Sequence, residues 1–127
     1  MHIRTAVPED GPKIKALYVE VVKAGGGLAR REEEITDDYV NEFIQHSADN
    51  GLIIVIEHPD DPEQLIGEMH GYKMDLKGFS HVLSHVTLAI HPQFQGKKMG
   101  RTLLTIFMEE IAKNRTDIGK IELMTGE

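Results

Sequence analysis

The sequence predicts an α+β domain in which helices flank a mixed, mostly antiparallel central sheet. Three observations carry that reading. Apolar residues recur in the order strand, two helices, three strands, helix, strand. The three middle strands are joined by short connections, as an antiparallel meander requires. The last of them runs straight into a cationic, glycine-bearing turn that opens an amphipathic helix. A chain of 127 residues, 40% hydrophobic, suits one domain over residues 1–127 with a single modest core.

The elements follow in order. Ile3 to Ala6 reads as a short strand, and Pro8-Glu9-Asp10 leads into a helix with Ile14, Leu17, Val21 and Val22 inward. Gly25-Gly26-Gly27 breaks it. Thr36-Asp37-Asp38 caps a second helix carrying Tyr39, Val40, Phe43 and Ile44, which is expected to fray toward Asp49-Asn50-Gly51. Leu52 to Ile56 is a strand, His58 to Glu63 a polar turn with two prolines, Leu65 to Met74 a second strand and Val82 to Ile90 a third, apolar on both faces as a buried central strand requires. Pro92 stops it. Leu103, Leu104, Phe107, Met108 and Ile111 then mark one apolar helix face, and Lys120 to Thr125 returns as a strand.

Composition excludes several classes of function. Zero cysteines remove disulfides, thiolate zinc sites and cysteine nucleophiles together. No apolar run approaches membrane-spanning length, and Met1-His2-Ile3-Arg4 begins a strand rather than a signal peptide, so a soluble cytoplasmic protein without a membrane partner is expected. A net charge of −7 argues against nucleic acid. That charge is unevenly spread: Glu32 to Glu63 holds 11 acidic residues and no Lys or Arg, whereas Gln93 to Lys120 holds 6 basic and 3 acidic. The acidic half either steers a cationic ligand or solvates an exposed helix and turn.

The stretch Val86 to Thr105 concentrates the chemistry. The first N–H groups of a helix lack intrahelical partners and sit at the positive end of its dipole, so the turn Gln95-Gly96-Lys97-Lys98-Met99-Gly100-Arg101 is suited to a pyrophosphate. A P-loop needs four residues between its glycines followed by Lys-Ser/Thr, but Gly96 and Gly100 enclose three and Arg101-Thr102 follows. A dinucleotide fingerprint needs three glycines after the first strand of a βαβ unit, and this turn comes late in the chain with two. Gln95 to Gly100 instead resembles the acyl-CoA signature Gln/Arg-x-x-Gly-x-Gly/Ala of the GNAT superfamily of N-acetyltransferases, with Lys98 replacing the middle glycine. The flanks Leu88-Ala89-Ile90, His91-Pro92, Phe94 and Arg101-Thr102-Leu103-Leu104 are similar to that family's usual context.

The resemblance implies a GNAT-like α/β/α sandwich and acetyl transfer from acetyl-CoA to a primary amine by direct attack, with acetyl-CoA as co-substrate and no metal. It places the pyrophosphate on Gln95, Gly96, Lys97, Lys98, Met99, Gly100 and Arg101, and the pantetheine arm along Leu88, Ala89 and Ile90. A backbone N–H near Ala89 or Ile90 would stabilise the developing oxyanion, worth roughly 3 kcal/mol in other acyl transfers. A complete family member continues through another helix and two strands beyond Thr125-Gly126-Glu127, and that helix often carries the tyrosine that protonates the departing thiolate. The resemblance therefore implies a domain truncated at its C-terminus. An exposed sheet edge there would favour a homodimer or strand exchange.

The amine must lose a proton, and Glu68, His70 and His85 are the candidate bases. Glu68 and His70 alternate onto one strand face, while His85 lies on the next strand. Glu68 and His85 are assigned the catalytic role. Ser84 stands where some histone-acetylating relatives place a glutamate. His81 and His85 form H-x-x-x-H, but strand spacing sets them about 13 Å apart, too far for one zinc ion. The acceptor, whether small molecule or protein, is not legible, because the helix-to-helix loop of Lys23 to Ile35 would shape its site. An acyl-CoA-binding or regulatory module without turnover is the alternative.

Overall fold

The computed structural model describes residues 2–25, 31–73, 82–114 and 120–123. Along them run β1 (Ile3–Thr5), α1 (Gly11–Lys23), α2 (Asp37–Asn50), β2 (Gly51–His58), β3 (Asp61–Lys73), β4 (Val82–Ile90), α3 (Met99–Asn114) and β5 (Lys120–Leu123). The order matches the sequence reading. These strands form one sheet in the order β1-β2-β3-β4-β5, antiparallel except for the parallel pair β4–β5. A parallel pair needs a crossover, and α3 supplies it.

Period-two alternation sorts the apolar strand residues onto two faces. Ile53 and Val55 of β2, Leu65 of β3 and Ala89 of β4 pack under Ile14, Leu17 and Val21 of α1 and Val40, Phe43 and Ile44 of α2. Ile54, Ile56, Met69 and Val86 turn the other way, onto Leu103, Phe107 and Ile111 of α3. The sheet is thus a middle layer between helices on both faces, an α/β/α sandwich.

Two irregularities set which side chains share a face. Ile56 pairs with Gly67 and Glu57 with Leu65, so Ile66 is an extra residue in β3. That bulge puts Leu65 on the same face as Glu68 and His70. In β4, His85 and Val86 together stand opposite Gly71, because His70 pairs with Thr87 and Tyr72 with Ser84. Alternation counted along β4 therefore fails across that point.

Three expectations change, and one buried residue is added. Helix α2 does not fray but runs to Asn50 and meets β2 at Gly51, where a Cβ would collide with Gly71 O at 1.9 Å. The polar turn is shorter than expected, since only Pro59 and Asp60 separate β2 from β3. Met108 is 45% exposed rather than inward, because the buried stripe of α3 is the i, i+4, i+8 row Leu103, Phe107, Ile111, and Met108 lies a further 100° round. Tyr18 is fully buried beside the expected Ile14, Leu17 and Val21. The expectations for Gly26 to Arg30, Met74, His81 and Met124 to Thr125 lie outside the described residues.

One polar cluster ties the edge of the sheet to α1. Arg4 donates to both carboxylate oxygens of Asp10, at 2.7 and 2.9 Å, and through Nε to Glu57 at 2.7 Å. Asp10 also accepts the Val7 N–H at 2.8 Å and is 2% exposed. The Arg4 guanidinium holds its carboxyl below the usual carboxylate range, against the opposing effect of burial.

Candidate functional site

The carboxyl-terminal part of β4 presents a backbone edge. His91 N–H bonds to Ile66 O at 2.8 Å while Ile90 stands opposite Gly67, which makes Ile90–Gly67 a pair that exchanges no hydrogen bonds. Alternation then commits the N–H and C=O of Ala89 to Glu68 and turns those of Leu88 and Ile90 away from β3. On that outer side β5 pairs with Val82, Leu83 and Val86 and, among the described residues, goes no further. Gln95 Nε2 reaches back to Ile90 O at 3.0 Å. Among the described residues, the outward Ile90 N–H and the N–H and C=O of Leu88 have no strand partner on this edge. Of the two amides expected near an acyl carbonyl, Ile90 has the outward orientation and Ala89 the inward one.

The turn beyond β4 brings a helix N-terminus beside this edge. Pro92–Phe94 forms a short 3₁₀ turn capped by His91, whose Nδ1 accepts the Gln93 N–H at 3.2 Å. Gly96 and Lys98 then adopt left-handed backbone conformations, with φ of 80° and 62°. Lys98 occupies the position where the resembling signature has glycine, and the positive φ is the reason glycine is favoured there. A lysine holds that conformation at a strain of about 1–2 kcal/mol. The first bond of α3 runs from Thr102 N–H to Lys98 O at 3.0 Å, so Met99, Gly100 and Arg101 begin the helix with N–H groups that lack intrahelical acceptors.

Side chains divide around that turn. Met99 anchors in the α3-side core at 8% exposure and offers only its backbone. Gly100 lies against β4, a Cβ built on it meeting Leu88 Cδ2 at 3.6 Å and Ile90 Cγ1 at 3.8 Å. Gln95, Gly96, Lys97, Lys98 and Arg101 are exposed. Lys97 Nζ lies 5.4 Å from the centre of the Phe94 ring, and Lys98 and Arg101 form no ion pair among the described residues.

The candidate bases have a different setting. Glu68 is fully buried on the α1/α2 face, with Oε1 2.5 Å from the Tyr18 hydroxyl and Oε2 2.6 Å from His70 Nδ1. His70 is 3% exposed, and its ring stacks on Phe43 at 4.0 Å between centroids and 5° between planes. Burial, then the Glu68 charge, pushes the Tyr18 hydroxyl well above its usual range, so it stays a donor. The sequence brought Glu68 and His70 to one face but missed Tyr18. Its i+4 spacing from Ile14 was the available signal. The side chain of His85 lies outside the described residues.

A groove of about 510 Å³ lies between α1 and the start of β3, lined by Lys13, Ala16, Val19, Glu20, Leu65 and His91. Neither Glu68 nor His70 lines it. Among the described residues no three His, Asp or Glu side chains converge as a metal site, and no helix is long and apolar enough to cross a membrane.

No protein-family model and no curated protein matches the sequence. Solved structures do resemble the fold. A ribosomal-protein-alanine N-acetyltransferase from Brucella melitensis superposes with a TM-score of 0.71 at 23% identity, over 89% of this chain and 68% of that one. A Salmonella typhimurium protein provisionally assigned as an acetyltransferase, solved with its cofactor acetyl-CoA, gives 0.72 at 22% identity over 89% and 64%. A GNAT superfamily phosphinothricin acetyltransferase from Sinorhizobium meliloti, in complex with acetyl-CoA, gives 0.69 at 19% identity over 86% and 58%. This chain has the fold of the GNAT acetyltransferases. It spans roughly two thirds or less of the length of these structures.

Proposed function

We propose that the protein is an acetyl-CoA-dependent N-acetyltransferase that acetylates a primary amine by direct attack. The observation that carries this reading is the outward backbone edge of Leu88 and Ile90 lying beside the cationic N-terminus of α3. An extended, amide-bearing arm pairs with a free strand edge, and a pyrophosphate is held by helix N–H groups and neighbouring cations. The residues fit both demands: the outward N–H and C=O of Leu88 for the arm, with the N–H of Ile90 left for the acyl carbonyl at its end, and the amides of Met99, Gly100 and Arg101 with Lys97, Lys98 and Arg101 for the anion. Acetyl-CoA supplies an activated thioester.

The chain's own groups account for the remaining steps. The Ile90 N–H is the donor for the developing oxyanion. A base drawn from Glu68, His70 and His85 takes the proton that the amine must lose. The acidic residues of α2 and the segment before it favour approach of a cationic amine. The rival reading, acyl-CoA binding without turnover, is favoured by the full burial of Glu68 with both carboxylate oxygens engaged.

Isothermal titration with acetyl-CoA, desulfo-CoA and ATP tests the site. Saturable binding of both CoA compounds and none of ATP is the expected result; equal binding of ATP, or none of any ligand by a folded monodisperse sample, defeats the reading. An amine panel with thiol release as readout then separates turnover from binding alone.

A further inference from the structure

We propose that His70, through Nε2, is the group that takes the amine proton, and that Glu68 and Tyr18 act as its positioning residues. The inference rests on the acyl-transfer reading above and assigns its base.

The geometry distinguishes the two ring nitrogens. Nδ1 lies 2.6 Å from Glu68 Oε2, and since a carboxylate oxygen accepts, the geometry assigns the proton of this bond to Nδ1. Tyr18 donates to the other oxygen at 2.5 Å, so the carboxylate cannot rotate away from the imidazole. Phe43 lies flat on the ring at 4.0 Å and fixes its plane. Nε2 is therefore the nitrogen with the lone pair. Among the described residues it has no hydrogen-bond partner, so its lone pair is uncommitted. Glu68 has no such free atom. It is fully buried with both oxygens occupied, and acts through the histidine.

Position links the pair to the proposed acyl site. Glu68 stands opposite Ala89 and His70 opposite Thr87, so the pair lies on the strand next to β4, level with the Leu88–Ile90 edge that β4 presents on its far side. The two opposing residues are small, and the assignment requires that the proton reach Nε2 past them, directly or through one water. A buried carboxylate that fixes the tautomer of an imidazole base, itself held by a third group, is the arrangement that nucleophile activation requires elsewhere.

The protons balance. The acceptor ammonium carries three N–H protons. One passes to Nε2 and on to water, freeing the nitrogen lone pair; the C–N bond forms and the C–S bond breaks, the sulfur leaving with the bonding pair. A second proton goes to that sulfur, and the amide keeps the third.

Two measurements test the assignment. Long-range ¹⁵N–¹H spectra of the unaltered chain at neutral pH should give His70 a protonated Nδ1 and an unprotonated Nε2; the reverse tautomer overturns the proposal without any variant. His70→Gln should lower turnover of n-butylamine about 10²–10⁴-fold. Calorimetric acetyl-CoA affinity should stay unchanged. The same variant should lose less than about tenfold with hydrazine, a much weaker base than n-butylamine, of which a far larger fraction is already neutral at the same pH and needs no base before attack. Equal losses with both acceptors, or no loss, mark His70 as structural and overturn the proposal. If His70→Gln does not fold, Tyr18→Phe serves instead, with a smaller loss that again spares hydrazine expected. Absence of acetyl-CoA binding or of any amine turnover by the unaltered chain instead overturns the acyl-transfer reading, and this assignment with it.

Discussion

The two faces of the sheet are built on different chemistry although they share strands. The α3 face is dry: Ile54, Ile56, Ile66, Met69, Val86, Met99, Leu103, Phe107 and Ile111 fill it. The α1/α2 face buries Tyr18, Glu68, His70 and Ser47 among its apolar residues. Consecutive residues of β3 make the contrast, since Met69 enters the dry core while Glu68 and His70 enter the polar one. An apolar face gains from burial alone, whereas a polar face must satisfy every group it removes from water. The α1/α2 face meets that demand for Tyr18, Glu68 and His70 Nδ1 with short bonds among three residues from two elements, and leaves Ser47 Oγ without a partner. That concentration of buried polar groups beside β4 makes it the catalytic candidate, while the α3 side contributes the helix terminus.

Truncation should break the two faces by different routes, the dry one most severely. Phe107→Ala removes a fully buried ring and should destabilise the fold by about 3–5 kcal/mol, read as a lower urea midpoint with little change in the local polar network. On the opposite face Glu68→Ala strands the Tyr18 hydroxyl and His70 Nδ1, with an expected loss of about 3 kcal/mol by the same measurement. A cost below about 1 kcal/mol there would mean that the polar cluster is not tightly coupled to the fold.

The Arg4–Asp10 pair sharpens the comparison through pH. Because the folded-state carboxyl of Asp10 is held below its unfolded value of about 3.9, its contribution is fully present above that pH and is lost as pH falls through the folded value. Asp10→Asn should therefore lower stability near neutrality by about 2 kcal/mol. The gap to the unaltered protein should close in the acid range, and a gap that persists unchanged there would detach the effect from ionisation. The smallest effect is expected outside both cores: Lys98→Gly should raise stability by about 1 kcal/mol by relieving the positive φ, provided thermal melts are compared without ligand. A loss instead would show that the Lys98 side chain stabilises the turn by more than its backbone strain.

Much of this architecture was legible before any coordinates. Ile14, Leu17 and Val21 announced an inward helix face, Thr36 its neighbour's cap, which accepts the Tyr39 N–H at 3.1 Å, and Val82–Ile90 a strand with the bounds that it has. The turn from Gln95 to Gly100 was readable for the same reason, because its residues are contiguous and their roles are backbone roles. Met108 was misplaced because apolar composition outran the width of the stripe that α3 can bury.

The sequence by itself determined the elements, their order and the glycine-bearing turn that opens α3, since those depend on residues two to four positions apart and on local backbone preference. Only the tertiary structure decided which polar residues meet. Tyr18 reaches Glu68 across 50 residues of chain, and Ile66 and the His85–Val86 step shift the alternation that would otherwise assign faces. Periodicity is a property of one segment, whereas bulges and contacts between elements are set by how two segments pack, which no single stretch of residues encodes.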